Sequence, residues 1–358
     1  MTRLEHVAAD TVPAPESPMQ SGLRIWFARP TSKTLVMNVG ILIVLSLWLS
    51  FQTSEFTTVN NITNVLGQVS FIGISACLVT PVMVAGGLDL SIGSIIAVAG
   101  VTAAKFVADV HWPLGWAFLM GILAGGAIGA LNAFLIVGMK INPVITTLGT
   151  MYIGRGLANV VAGGSPVTGV PLSFNNLATS DVGPVPVPVL IFAVIAIIMI
   201  FVERKTILGR WTIASGGNQE AARLSGIPIN RTRATLYILC GLAAGIAGIL
   251  MNSRIATGDP NSGTGFEFDV IVAVVLGGTA ITGGQGTIIG SIVGVLIVGV
   301  LNNGLNLLGV STFYQYIVEG VVLIFAVGVD ELFRHTWRTI LRRQRLERRH
   351  QSEARSSK

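Results

Sequence analysis

Ten apolar runs set the terms for this chain: roughly 35–51, 62–83, 91–110, 114–138, 143–162, 186–203, 232–252, 269–283, 287–303 and 313–330. A run of about 17 to 25 mostly apolar residues is long enough to cross a bilayer as a helix. Backbone inside hydrocarbon must satisfy its own hydrogen bonds, and a helix does so within one segment. The eighth run is short and the fifth is interrupted by glycine, so eight or nine spans also fit. Composition agrees, with 51% hydrophobic and 11% charged residues, against about 25% charged in an ordinary soluble domain. The expected fold is an all-α polytopic membrane protein with about ten transmembrane helices. One membrane domain covers 35–330, between a polar tail at 1–34 and a basic tail at 331–358. The first tail has no early apolar core with a cleavage site, so it reads as a flexible cytoplasmic segment rather than a signal. Cys77 and Cys240 both lie in apolar runs, which argues against a disulfide framework. Gly121, Gly125 and Gly129 form a small-xxx-small stripe of the kind that lets membrane helices pack closely.

Basic residues orient the spans. With the N-terminus inside, the inner segments are 1–34, 84–90, 139–142, 204–231, 284–286 and 331–358. Together with Arg233, at the start of the seventh span, they hold 20 of the 23 Lys and Arg residues; the exceptions are Lys105, Arg155 and Arg254. The outer loops 52–61 and 163–185 have none. This is the positive-inside pattern, and it puts both termini in the cytoplasm. The tail "RHTWRTILRRQRLERRH" follows a membrane span, so anionic lipid headgroups are its expected partner rather than nucleic acid.

Two glycine-rich breaks interrupt the apolar pattern. "GGLDLSIGS" (86–94) and "GGQGTIIGS" (283–291) share GG, five residues, then GS. Each follows an even-numbered span and precedes an odd one, so both lie on the same membrane side in the same direction. That suggests two pseudo-repeated halves of parallel topology with some helices broken, a frequent transporter construction. The first break carries Asp89, the only charged residue between Glu55 and Lys105. A buried carboxylate is costly unless paired or wet. Pro81 and the Gly86–Gly87 pair let the chain turn near the inner end of span two. Asp89 and Ser91 can then cap the start of span three, beside Gly93. Solute contact, and a role in gating or coupling, remain open alternatives for this motif.

The longest inner segment between spans, 204–231, contains a short helix signal. Asn218 can cap its N-terminus, Glu220 suits the positive end of the dipole, and "QEAARLS" has good helix formers. Gly226 and then Pro228 stop it. The helix expected here has about 8 residues and a length of roughly 12 Å. It suits either docking on a cytoplasmic partner or lying on the headgroups.

Enzyme chemistry finds no support. There is no G-x-x-x-x-G-K-[ST] loop, so the chain is not expected to bind ATP itself. His6, His111, His335 and His350 lie in tails or a loop, leaving no intramembrane His pair for a metal and no Ser–His dyad. No catalytic residue, metal ligand or cofactor is expected.

Taken in order, "GGLDLSIGS", "GGNQEAARLSGI" and "VVLGGTAITGGQGTIIGSIVGVLIVGVLNNGL" resemble the membrane permease of bacterial ABC sugar importers. The likeness is to the ribose, xylose and galactose type, within a larger family that includes branched-chain amino-acid permeases, and it covers about residues 35 to 330. The resemblance implies a multi-pass permease of the bacterial inner membrane that moves a monosaccharide or related polyol by alternating access. It implies an ABC ATPase partner, with two fused cassettes, to bind the ATP. It also implies an extracytoplasmic sugar-binding protein and a second permease, identical or homologous. Asn218, Glu220, Ala221, Ala222 and Gly226 fall on the family's coupling segment, which docks on the ATPase. The long basic C-terminus has no counterpart role.

Amides both donate and accept, as sugar hydroxyls do. Asn132 and Asn302 share a G-x-x-N context, and with Asn303 and Asn306 they are candidates for lining a passage. The competing role is interhelical hydrogen bonding, worth on average about 0.6 kcal/mol in a membrane protein. Arg155, near the outer end of span five, is expected to snorkel. Glu319 in span ten calls for a buried partner that sequence does not name. Three other functions compete: a branched-chain amino-acid ABC permease, an ion-coupled secondary transporter using Asp89 or Glu319 as proton carrier, and a scaffolding membrane protein.

Overall fold

A computed structural model of the chain describes residues 30–322 together with 324, 325 and 328. Most of the tail at 1–34 and all of the tail at 331–358 therefore lie outside the described residues. The helices are α1 (Pro30–Gln52), α2 (Val59–Val84), α3 (Ile92–Ala108), α4 (Leu114–Ala133), α5 (Pro143–Ala162), α6 (Leu172–Thr179), α7 (Val187–Lys205), α8 (Ile207–Gly217), α9 (Gln219–Leu224), α10 (Ile229–Arg254), α11 (Phe266–Leu276) and α12 (Ile288–Leu307). Residues 312–322 are again helical. A π-helical turn, Phe134–Gly138, extends α4. A two-stranded hairpin, β1 (Asp181–Val182) with β2 (Val185–Pro186), precedes α7. The protein is thus an all-α polytopic membrane protein.

Each expected span overlaps a helix, though the eighth, 269–283, is helical only to Leu276 and the tenth, 313–330, is described only in part. Among the described residues, six helices are long and apolar enough by themselves to cross a membrane: α1, α2, α4 with its π turn, α7, α10 and α12. The α3 helix is apolar but has only 17 residues, and α11 has 11. Both shortened helices adjoin a glycine break. Each break takes up chain that would otherwise have continued the helix.

The helices sort by exposure into a centre and a rim. The buried core runs through α2, α3, α10 and α11, with Ile74, Ile92, Ile95, Ala244 and Val270 fully enclosed. The rim helices α1 and α7 expose Val44, Trp48, Ile197 and Phe201. An apolar outer face is what a lipid-facing helix requires. The stripe Gly121, Gly125 and Gly129 on α4 meets α10 at Gly241 and Gly245. A Cβ on Gly125 would stand 2.5 Å from the Gly241 carbonyl oxygen. Larger residues would push the two backbones apart, as expected for small-xxx-small packing.

Two loops hold more structure than their sequence suggested. In 204–231, the expected single helix is joined by an unanticipated one, α8, capped by Thr206, whose hydroxyl accepts from Gly209 N at 3.4 Å. Residues 163–186 contain α6 and the hairpin. Ser253 near the end of α10 pins α6: its hydroxyl donates to Phe174 O at 2.6 Å and accepts from Ala178 N at 3.1 Å.

Candidate functional site

At the first break, α2 ends at Val84 and the chain turns through Gly86, whose φ of 77° is a left-handed value natural to glycine. Beside it, a Cβ on Gly87 would stand 2.6 Å from the Tyr237 hydroxyl oxygen. That hydroxyl donates to Leu88 O at 3.2 Å. The segment then runs back along α5. Thr147 Oγ1 donates to Leu88 O at 3.4 Å, Thr150 reaches the segment through Asn132, and Gly154 packs against Ser94. At 1.5 Å per residue, these contacts climb α5 from about 6 to about 16 Å past its start. The break thus runs beside the first three turns of α5 rather than beside its start alone.

Asp89 is fully buried. Its Oδ1 accepts from Ser91 N at 2.9 Å and from Ser91 Oγ at 2.5 Å. The Ser91 hydroxyl in turn accepts from Asn132 Nδ2 at 2.8 Å, and Asn132 Oδ1 accepts from Thr150 Oγ1 at 2.6 Å. Four side chains from the break, α4 and α5 therefore form one polar chain. The expected cap is only partly found. Ser91 holds the N-cap position of α3 but makes no side-chain cap bond. Its φ and ψ, −81° and −6°, are already helical, whereas a capping residue usually takes extended angles. Asp89 instead closes a two-residue turn ahead of the helix.

The second break spans the eleven residues between α11 and α12. Gly278, Gly283 and Gly284 all have positive φ. The two breaks meet. Gly284 N donates to Val84 O at 2.8 Å, and a Cβ on Gly283 would stand 2.9 Å from Gly86 Cα. The end of α8 completes the junction, because a Cβ on Gly284 would stand 2.8 Å from Gly217 Cα and one on Gly216 would strike Val84 O. Backbone meets backbone here, which only glycine permits.

Directly after this junction comes α9. Asn218 is extended, with φ −153° and ψ 98°, and its Oδ1 accepts from Ala221 N at 3.0 Å. Glu220 lies in the first turn and pairs with Arg223 at 2.6 Å on the exposed face. Such surface pairs add little stability. Gly226 takes a φ of 79° and its N–H reaches Arg223 O at 3.0 Å. The start and stop signals thus act as expected, on a helix of six residues rather than about eight. The alanines differ. Ala221 is exposed, but Ala222 is buried against the rest of the chain. Its small size suits packing within this protein. The free surface of α9 is Gln219, Glu220, Ala221, Arg223 and Leu224, the last 77% exposed.

Three of the four asparagines make side-chain bonds to other helices. Asn132 belongs to the Asp89 chain. Asn303 on α12 and Asn61 on α2 exchange bonds of 2.8 and 3.0 Å. Asn302 lies beside Glu319. Asn306 Oδ1 accepts from Gln315 Nε2 at 2.9 Å. Arg155 is held by the loop before α11: its Nη1 donates to Ser262 O at 2.6 Å, with the carboxylate of Glu267 nearby. Thr150, Glu203 and Arg233 were missed as site residues. Glu203 and Arg233 stand at the borders of the 204–231 loop and look like ordinary loop-flanking charges.

Comparison with known proteins bears on this arrangement. Residues 61–327 match the family described as the branched-chain amino acid transport system / permease component. The chain belongs to this permease family. It is 42% identical over 294 residues to the ribose import permease protein RbsC of Escherichia coli K12, covering 81% of this chain and 91% of that one. RbsC of Bacillus subtilis strain 168 is 40% identical over 291 residues, 81% of this chain and 90% of its own. The L-arabinose ABC transporter permease protein AraH of Azospirillum brasilense is 38% identical over 302 residues, 84% of this chain and 89% of its own. No solved structure matches. The chain is a transport permease rather than an enzyme, and a multi-pass protein of the inner membrane. Among the described residues no group of His, Cys, Asp or Glu could hold a metal ion.

Proposed function

We propose that this permease is the passage subunit of an ABC importer for a monosaccharide or related polyol. A separate ATPase drives it, and an extracytoplasmic binding protein feeds it. The observation that carries the reading is the likeness, over four fifths of the chain, to permeases named for ribose and L-arabinose import. The family description names branched-chain amino acids, but these relatives carry pentose names. A second permease, identical or homologous, completes the passage, and the ATPase carries two fused cassettes. Both termini face the cytoplasm, supported by the charge asymmetry of the loops. The tails at 1–34 and 331–358 flank the membrane domain, and the basic C-terminal tail lies on anionic headgroups.

In this reading the α8–α9 segment receives the stroke of the ATPase. Its junction with both glycine breaks supports that role, because movement there reaches the ends of α2 and α12 together. The asparagines at α2–α12 and α4–α5 keep those helices paired as they move, and candidate contacts with solute fall to surfaces exposed between two permeases. Reconstitution with ATPase and binding protein in proteoliposomes tests the function. ATP-dependent uptake of labelled ribose or L-arabinose, and none of leucine, is expected. Leucine uptake would reassign the substrate. Uptake by the permease alone on a proton gradient would replace the ABC reading with secondary transport.

A further inference from the structure

Two charged side chains hold the helix ends at the two breaks, and both flank the coupling segment. Glu203 lies near the end of α7, four residues before α8 begins. Its Oε2 accepts the N–H of Ile288, the first residue of α12, at 3.2 Å. The first N–H groups of a helix have no intrahelical acceptor, and the positive end of its dipole favours a carboxylate. Arg233, in the first turns of α10, does the converse. Its Nε and Nη2 donate to Ala85 O, at the C-terminal end of α2, at 3.2 and 3.0 Å. The same Nη2 stands 3.5 Å from Gln219 Oε1, on the first residue of α9. An acid at a helix start and a base at a helix end are the favourable pairing at each site.

A cavity of about 30 Å³ lined by Thr80, Glu203, Gly209, Thr212, Gly286 and Ile288 lies between α8 and the foot of α12. The Glu203–Ile288 bond bridges that gap. We infer that Glu203 and Arg233 are positioning residues for transport: Glu203 ties the start of α12 to the last turn of α7, directly before α8, and Arg233 ties the end of α2 to Gln219 of α9, so that movement of the coupling segment reaches both helix ends. The inference rests on the ABC-permease reading.

The test is the amount of sugar moved per ATP hydrolysed, measured with labelled ribose and L-arabinose in proteoliposomes of the full complex. Glu203→Ala and Arg233→Ala are expected to assemble with the ATPase and to hydrolyse ATP, while sugar per ATP falls about tenfold, a size usual for residues along a coupling route. Glu203→Gln keeps an oxygen acceptor for Ile288 N–H and is expected to stay within about twofold. A residue that only stabilises the fold would lower assembly and leave the ratio unchanged. Alanine variants that assemble with the wild-type ratio overturn the inference. Should they fail to assemble, Glu203→Asp and Arg233→Lys decide. The first shortens the reach, and the second loses the two-pronged contact. A reduced ratio in these supports the ties, and a wild-type ratio overturns them. If the wild type itself moves neither sugar on ATP, the import reading fails and takes the inference with it.

Discussion

The first break leaves α2 at Val84 and reaches α3 in seven residues; the second leaves α11 at Leu276 and takes eleven to reach α12. Side chains hold the first: Asp89, Ser91, Asn132 and Thr150 form a hydrogen-bonded chain, with Tyr237 beside it. Backbone holds the second, through left-handed glycines and a carbonyl contributed by the first break. Its helix start is capped by its own Thr287 and by Glu203 from another helix. One motif therefore has two constructions. Chemistry is the sensitive property of the first break, and size is that of the second.

The largest expected effect tests size. Gly283→Val places a branched side chain at a φ of 85°, against the Gly86 backbone. Left-handed strain of about 1–2 kcal/mol adds to overpacking of about 1–3 kcal/mol. Size-exclusion of a fluorescent fusion in detergent should show little monodisperse permease. A wild-type peak would mean that the two breaks do not touch as described.

Chemistry comes next. Asp89→Leu strips the acceptor from Ser91 N–H and Oγ, and each buried group left unsatisfied costs about 1–3 kcal/mol. Asp89→Asn retains Oδ1 and should cost less than about 1 kcal/mol. Thermal melts of the purified variants read both. A well-folded Asp89→Asn that transports nothing would give the negative charge a function beyond holding the turn.

Gly226→Val separates strain from clash. Gly226 has a φ of 79° but open space around its Cβ position, so only the backbone term of about 1–2 kcal/mol applies. The membrane core should stay folded while limited proteolysis after α9 quickens. Equal loss of folded protein in Gly226→Val and Gly283→Val would erase the proposed distinction.

The smallest effect on stability belongs to Leu224→Ser, at a side chain 77% exposed, within about 0.5 kcal/mol of wild type. Its effect should appear instead as weaker co-purification of the ATPase. Ala222→Trp should behave oppositely and harm folding first, because Ala222 is buried within the chain.

Long apolar runs made the spans legible, since a bilayer leaves few other structures open to them. The caps of α9 were legible too, because Asn218, Glu220 and Gly226 act within a few residues of one another. What escaped depended on partners far along the chain. Glu203 meets Ile288, 85 residues away, and Arg233 meets Ala85, 148 residues away. No local pattern marks such contacts. The partner of Arg155 escaped for the same reason, as Ser262 O lies 107 residues on. The α8 helix was overlooked because "ILGRWTIASGG" ends in two glycines and reads as loop, although those glycines serve the junction with the breaks.

The central claim is that the coupling segment and the second break move as one block. Spin labels at Leu224→Cys on α9 and Ile281→Cys in the second break occupy exposed positions and report it directly. Their separation can be measured by pulsed electron resonance in the assembled complex, nucleotide-free and ATP-bound. A single narrow distance distribution, unchanged by ATP, is the predicted result. A distance that shifts or splits when ATP binds would show the segment sliding over the break and would contradict the account.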